Sequence, residues 1–89
     1  AATAHAASFA NVPVGTTVCV SKFVVNTTRV QGSSTPYPAR FEVRRGGVTL
    51  FQGTTTGFVG QYAGTGFYEL CGKNKLGNPG PITVQLDIS

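Results

Sequence analysis

Ile82-Thr-Val-Gln-Leu-Asp-Ile88 alternates apolar and polar residues without a break. Side chains of an extended chain point to opposite faces in turn, so Ile82, Val84, Leu86 and Ile88 make one apolar face. Such a strand holds only inside a sheet whose apolar side is covered by another layer. The remaining sequence fits that demand, because Thr and Val are abundant and twelve Gly and five Pro punctuate short apolar runs. The Ala-rich start, residues 1–8, is compatible with a helix but too short to hold one alone in water. It is expected to be a loose tail. Residues 9–89 are expected to form a single all-β domain.

Taken in order, Phe9, Val12 and Val14 suggest a first strand, and Pro13 restricts it to a sheet edge. Thr16–Asn26 is the strongest interior strand. It places Cys19, Ser21, Phe23 and Val25 on one face and Val18, Val20, Lys22 and Val24 on the other. Thr27–Pro38 reads as a long polar connection with two prolines around Tyr37. Ala39–Phe51 reads as a hairpin turning at Gly46-Gly47, with Arg45 opposite Val48, Arg44 opposite Thr49, Val43 opposite Leu50 and Glu42 opposite Phe51. In that register Phe41, Val43, Val48 and Leu50 face the core, and Phe51 is an exposed apolar misfit beside Glu42, Arg44 and Thr49. Gly53–Tyr62 is a strand in which Gly57 and Gly60 signal bulges or close backbone approach.

Phe67–Cys71 conflicts with itself. A regular strand with Cys71 inward also turns Glu69 inward and buries a carboxylate. If Tyr68 and Leu70 point inward instead, the cysteine points out. A bulge near Glu69–Leu70 is the other solution.

About seven strands with turn signals at regular spacing predict a small two-sheet antiparallel β-sandwich, with a Greek-key barrel as the alternative. The two cysteines, Cys19 and Cys71, suggest one disulfide formed in an oxidising compartment. Closing a loop of about 53 residues, it is worth roughly 4 kcal/mol in the chain-entropy model. Cysteines in Gly15-Thr-Thr-Val-Cys-Val and Gly64-Thr-Gly-Phe-Tyr-Glu-Leu-Cys resemble the order of an immunoglobulin-like domain. The resemblance spans most of the chain and implies an inter-sheet bridge from the second strand to the sixth. The sequence departs from that pattern in having no Trp, and in placing Glu69, not Tyr, two residues before the second cysteine.

Composition narrows function mostly by exclusion. No apolar run approaches the roughly 20 residues of a membrane-spanning helix. The net charge of +4 arises from scarce acids, Glu42, Glu69 and Asp87, and is not a nucleic-acid footprint. His5 is the single histidine and lies in the tail, so no Ser–His–Asp set is expected. Glu42 and Glu69 are expected to be structural, not a general acid/base pair. No metal-ligand spacing and no cofactor motif is present. The chain is thus expected to be a secreted, non-enzymatic binding domain. Its small-residue start, Ala1-Ala-Thr-Ala, suits the mature end of an exported chain.

Candidate contact residues are Tyr37, held between prolines; Arg40, Arg44, Arg45 and Phe51 of the hairpin; and Lys73 and Lys75 of a stiffened loop, Gly72–Pro81. A basic, proline-bounded loop suits an acidic protein cleft, as in an enzyme inhibitor, or an anionic polysaccharide. The alternative is a structural subunit of an extracellular layer or fibre. There the N-terminal tail would add a strand to a neighbour, with Phe51 as exposed contact. Asn26-Thr-Thr28 is a glycosylation acceptor pattern.

Overall fold

The computed structural model describes residues 5–89. Eight strands follow one another: β1 (Ala6–Val12), β2 (Thr17–Val24), β3 (Thr27–Thr35), β4 (Ala39–Arg45), β5 (Val48–Thr55), β6 (Gly57–Ala63), β7 (Gly66–Lys73) and β8 (Ile82–Ile88). They form two antiparallel four-stranded sheets, ordered β1-β8-β3-β6 and β2-β7-β4-β5. The first strand pairs with the last, the second with the seventh, the third with the sixth and the fourth with the fifth. The chain is therefore one long hairpin rolled up, which is the eight-stranded jelly-roll order. The expected β-sandwich is present, but its connections are not immunoglobulin-like.

That order relocates the disulfide. Cys19 and Cys71 are bonded, but they sit directly opposite each other on β2 and β7, neighbours in the same sheet. The bridge is not inter-sheet. It staples β2, an edge strand, to its only sheet neighbour. The β2–β7 ladder runs in unbroken register from Thr17–Lys73 to Val24–Gly66, so no bulge interrupts Glu69–Leu70. The alternation conflict resolves the other way: Tyr68 and Leu70 are fully buried, while Phe67, Glu69 and Cys71 face outward. No carboxylate is buried there.

Phe41 joins the two sheets. A methyl group built at Gly32 of β3 would come within 2.7 Å of Phe58 and 2.9 Å of Phe41; one at Gly72 of β7 would meet Val84 at 2.9 Å and Phe41 at 3.1 Å. Both glycines thus leave the space that the Phe41 ring fills between opposing sheets. Gly32→Ala is expected to cost about 2 kcal/mol by overpacking. Part of that cost should return in a Phe58→Leu background, where the closest ring atom is gone. A double-mutant cycle from denaturant unfolding measures the coupling, and strict additivity would contradict it.

Three further expectations change. Thr27–Thr35 is a central strand, not a polar connection. Its inward residues are Thr28, Val30, Gly32 and Ser34, all buried. Two of them are hydroxyl residues that stay satisfied because Thr28 donates to the Ser89 carbonyl (2.6 Å) and Ser34 to the Tyr37 carbonyl (2.6 Å). The loose tail is shorter than expected, since Ala6–Ser8 belong to β1 and pair with Asp87–Gln85 of β8; residues 1–4 lie outside the described residues.

Phe51 is not an exposed misfit. The hairpin keeps the expected Arg45–Val48 and Arg44–Thr49 pairs around Gly46-Gly47, both glycines at positive φ (56° and 88°). Leu50 is then an extra residue in a bulge, so Val43 faces Phe51. The one-residue slip turns Phe51 inward, where it stacks on Phe58 with centroids 4.6 Å apart.

Candidate functional site

Antiparallel connections of the roll emerge alternately at its two ends. The β1–β2, β3–β4, β5–β6 and β7–β8 connections share one end, where Thr35 faces Thr83, Val12 faces Ile82, and Lys73 faces both Thr17 and Arg40. All five prolines of the chain, Pro13, Pro36, Pro38, Pro79 and Pro81, lie in these connections. Each fixes its own φ, so this end carries less conformational freedom than loops of equal length elsewhere.

The long β7–β8 connection is held from inside by Asn74, which is completely buried. Its side-chain amide donates to the carbonyls of Val12 (2.9 Å) and Gly80 (3.0 Å), and its Oδ1 accepts from Asn78 (2.8 Å). Asn78 also donates to the Pro38 carbonyl (2.8 Å). Two asparagines thereby tie the β1–β2, β3–β4 and β7–β8 connections into one unit. Beyond them the tip turns through Gly77 at φ 103°, and Leu76 stands 73% exposed. Nothing in the apolar–polar pattern marks Asn74. The available signal was its place immediately after a strand in a proline-rich loop, where a buried amide can satisfy orphan carbonyls.

The basic candidates separate. Arg40 and Lys73 come together: they are directly opposed on β4 and β7 and both face outward, flanked in register by Thr54 and Thr17. Like charges directly opposed in a ladder are destabilising. Glu42 follows two residues along β4 on the same face. A shallow depression of about 130 Å³ lies between these residues, lined by Thr17, Arg40, Glu42, Gln52, Cys71 and Lys73. Lys75 continues the positive corner into the loop, half-buried beside the exposed Leu76.

Arg44 also faces outward but is opposed by Glu69, so its charge has a counter-charge in register. Arg45 turns to the inner side. Its guanidinium donates to the Ala63 carbonyl (2.8 Å) and to the Tyr68 hydroxyl (3.3 Å), and lies 5.9 Å from that ring's centroid. It is a structural residue joining β4 to the end of β6. Tyr37 is half-buried against the core, and its ring is not a free anchor. The corner therefore comprises Arg40, Lys73 and Lys75, with Thr17, Glu42 and Leu76 beside them.

Other chemistry finds little support among the described residues. Cys19, Cys71 and Glu69 place ligand atoms within 4.8 Å of one another, but both sulfurs are spent in the disulfide and offer no thiolate. Glu42 and Glu69 lie on adjacent strands one register step apart, on the exposed face. His5 is exposed. Burial pushes the Tyr62 hydroxyl above the usual phenol value of 10.0, so it stays protonated at neutral pH. Asn26 is exposed in the β2–β3 turn at φ 75°. Among the described residues, no helix is long and apolar enough to cross a membrane. Compared with protein-family models and with curated proteins, the chain matches none.

Proposed function

We propose that the chain is an extracellular, non-enzymatic binding domain whose contact surface is the proline-bound end and its Arg40–Lys73–Lys75 corner. One observation carries this reading: two cations are held face to face on a rigid sheet, beside a loop clamped by Asn74 and tipped by an exposed leucine. Opposed cations cost stability in the free protein, and an anionic partner would relieve that cost. A stiffened loop loses little entropy on binding. The partner is accordingly one that presents carboxylate or sulfate groups, on an acidic protein surface or an anionic polysaccharide. The jelly-roll architecture itself occurs in lectins and in capsid proteins and does not choose between them. The surface disulfide is compatible with an oxidising, extracellular setting.

Donation of the N-terminal strand to a neighbour is the less supported reading. Ala6–Val12 is already paired with β8 of its own domain, and Phe51 is inside.

Calorimetric titration with a short sulfated oligosaccharide, used as a polyanion probe, tests the reading. Reversing charge at Arg40 and Lys73 (R40E/K73E) is expected to weaken binding about tenfold or more. Reversal at Arg44 should matter much less, and rising salt should weaken the native protein's affinity. Equal losses at Arg44 and at the Arg40–Lys73 pair would remove the corner from the account.

A further inference from the structure

The two sheets expose four edge strands: β1, β6, β2 and β5. An open edge is a row of unpaired backbone donors and acceptors that templates further pairing, and proteins blunt such edges with bulges, prolines and inward-pointing charges. Three of the four carry such a device. Strand β1 has a register shift between Phe9 and Val12, with Asn11 at φ 54°, and ends against Pro13. Strand β2 carries Lys22 in the inward register, opposite the buried Tyr68, and is stapled by the disulfide. Strand β5 contains the Leu50 bulge.

Strand β6 has none of these within its ladder. Only its ends are tied, Gly57 through N–H and C=O to the Thr55 hydroxyl and Ala63 through its carbonyl to Arg45, and Val59 and Gln61 form the edge between them. Its ladder with β3 is regular from Thr27–Ala63 to Ser33–Gly57, and Gly57–Ala63 contains no proline and no charge. Gly46–Gly66 as a whole carries no Asp, Glu, Lys, Arg or His.

We infer that the β6 edge is a self-association surface, where a second copy of this chain adds its own β6 antiparallel to form a continuous eight-stranded sheet. Charge argues for a second copy as the occupant. Each molecule carries +4, so two copies repel wherever basic residues meet. A β6–β6 contact brings together no charged side chain of the strand itself, the nearest cations being Arg45 at Ala63 and Arg29 opposite Gln61. The strand is also self-complementary. A two-fold axis at Gly60 sets Val59 against Gln61 on the outer face and Phe58 against Tyr62 on the inner face, each pair occurring twice. Val59, 55% exposed in the single molecule, would gain cover.

This surface lies away from the Arg40–Lys73 corner: β6 belongs to the other sheet. Polyanion binding and self-association can therefore fail independently. The test is sedimentation velocity of the native protein from about 10 µM to 1 mM, alongside Val59→Lys/Gln61→Lys. Both substituted residues face outward and are exposed, so the fold should survive, which far-UV circular dichroism checks. The native protein is expected to form dimers with rising concentration. The double variant, placing lysines directly opposite each other twice, should raise the dissociation constant about tenfold. A native protein that stays monomeric throughout would overturn the inference. So would a dimer that survives the lysines but is lost in Phe23→Ser/Phe67→Ser, because that would place contact on the other exposed apolar pair, Phe23 opposite Phe67.

Discussion

Replacing Cys19 and Cys71 together with serine is expected to lower unfolding free energy by about 4 kcal/mol. The loss should come mainly from the unfolded chain. Both residues lie on the outer face, Cys19 exposed and Cys71 half-buried, so serine leaves no core cavity and strands no buried polar group. What disappears is a constraint across a sequence separation of 52. The released unfolded ensemble is larger and exposes more surface, so the urea m-value should rise as stability falls. Against a typical 5–15 kcal/mol for a small domain, the variant is expected to fold but with little reserve. Position amplifies the consequence, since β2 is an edge strand with β7 as its only neighbour. Native-state hydrogen exchange should therefore show Thr17–Val24 opening first in the variant. A loss below about 1 kcal/mol, or an unchanged exchange pattern in β2, would contradict the stapling role.

Asn74→Ala is expected to cost about 3 kcal/mol, through removal of a buried amide rather than a surface contact. The substitution strips the carbonyls of Val12 and Gly80 of a donor and Asn78 of an acceptor, in a site with no solvent exposure. For a domain of this size that corresponds to a fall in Tm of roughly 15 °C. Asn74→Asp should be worse despite its equal size. Its carboxylate cannot donate to the two carbonyls, and burial disfavours its charge. The local consequence is as informative as the global one. With the clamp gone, amide protection should fall over residues 75–81 and around Pro13–Thr16, and polyanion affinity should weaken although no cation has changed. A stable Asn74→Ala protein with an unaltered loop would show that the prolines alone hold this end.

Legibility from sequence depended on whether one local rule settled the conformation. Ile82–Ile88 alternates cleanly and is the strand it promises to be, with all four apolar residues buried. Gly46-Gly47 forms the expected tight turn because both positions need positive φ. Thr27–Thr35 failed for a physical reason. A strand that runs beneath large rings needs small inward residues, and Thr28, Gly32 and Ser34 look like loop composition until Phe41 and Phe58 are seen above Gly32. Phe51 failed because one bulged residue inverts every face beyond it. The disulfide pairing was legible from the cysteine count, whereas its place within one sheet depended on strand order, which no local pattern encodes. Of the candidate site, charge alone picked out Arg40, Lys73 and Lys75. Separating them from Arg45 required the inner-face partners Ala63 and Tyr68, and Asn74 carried no outward signal at all.

The central claim is that one rigid end with a directly opposed pair of cations is the binding surface. Two-dimensional ¹H–¹⁵N spectra of the oxidised protein, recorded while the sulfated oligosaccharide is added, test it most directly. The account predicts saturable shifts confined to Thr17, Arg40–Glu42 and Lys73–Leu76, which R40E/K73E abolishes. Shifts centred on Arg44 and Glu69, on β6, or nowhere would contradict it.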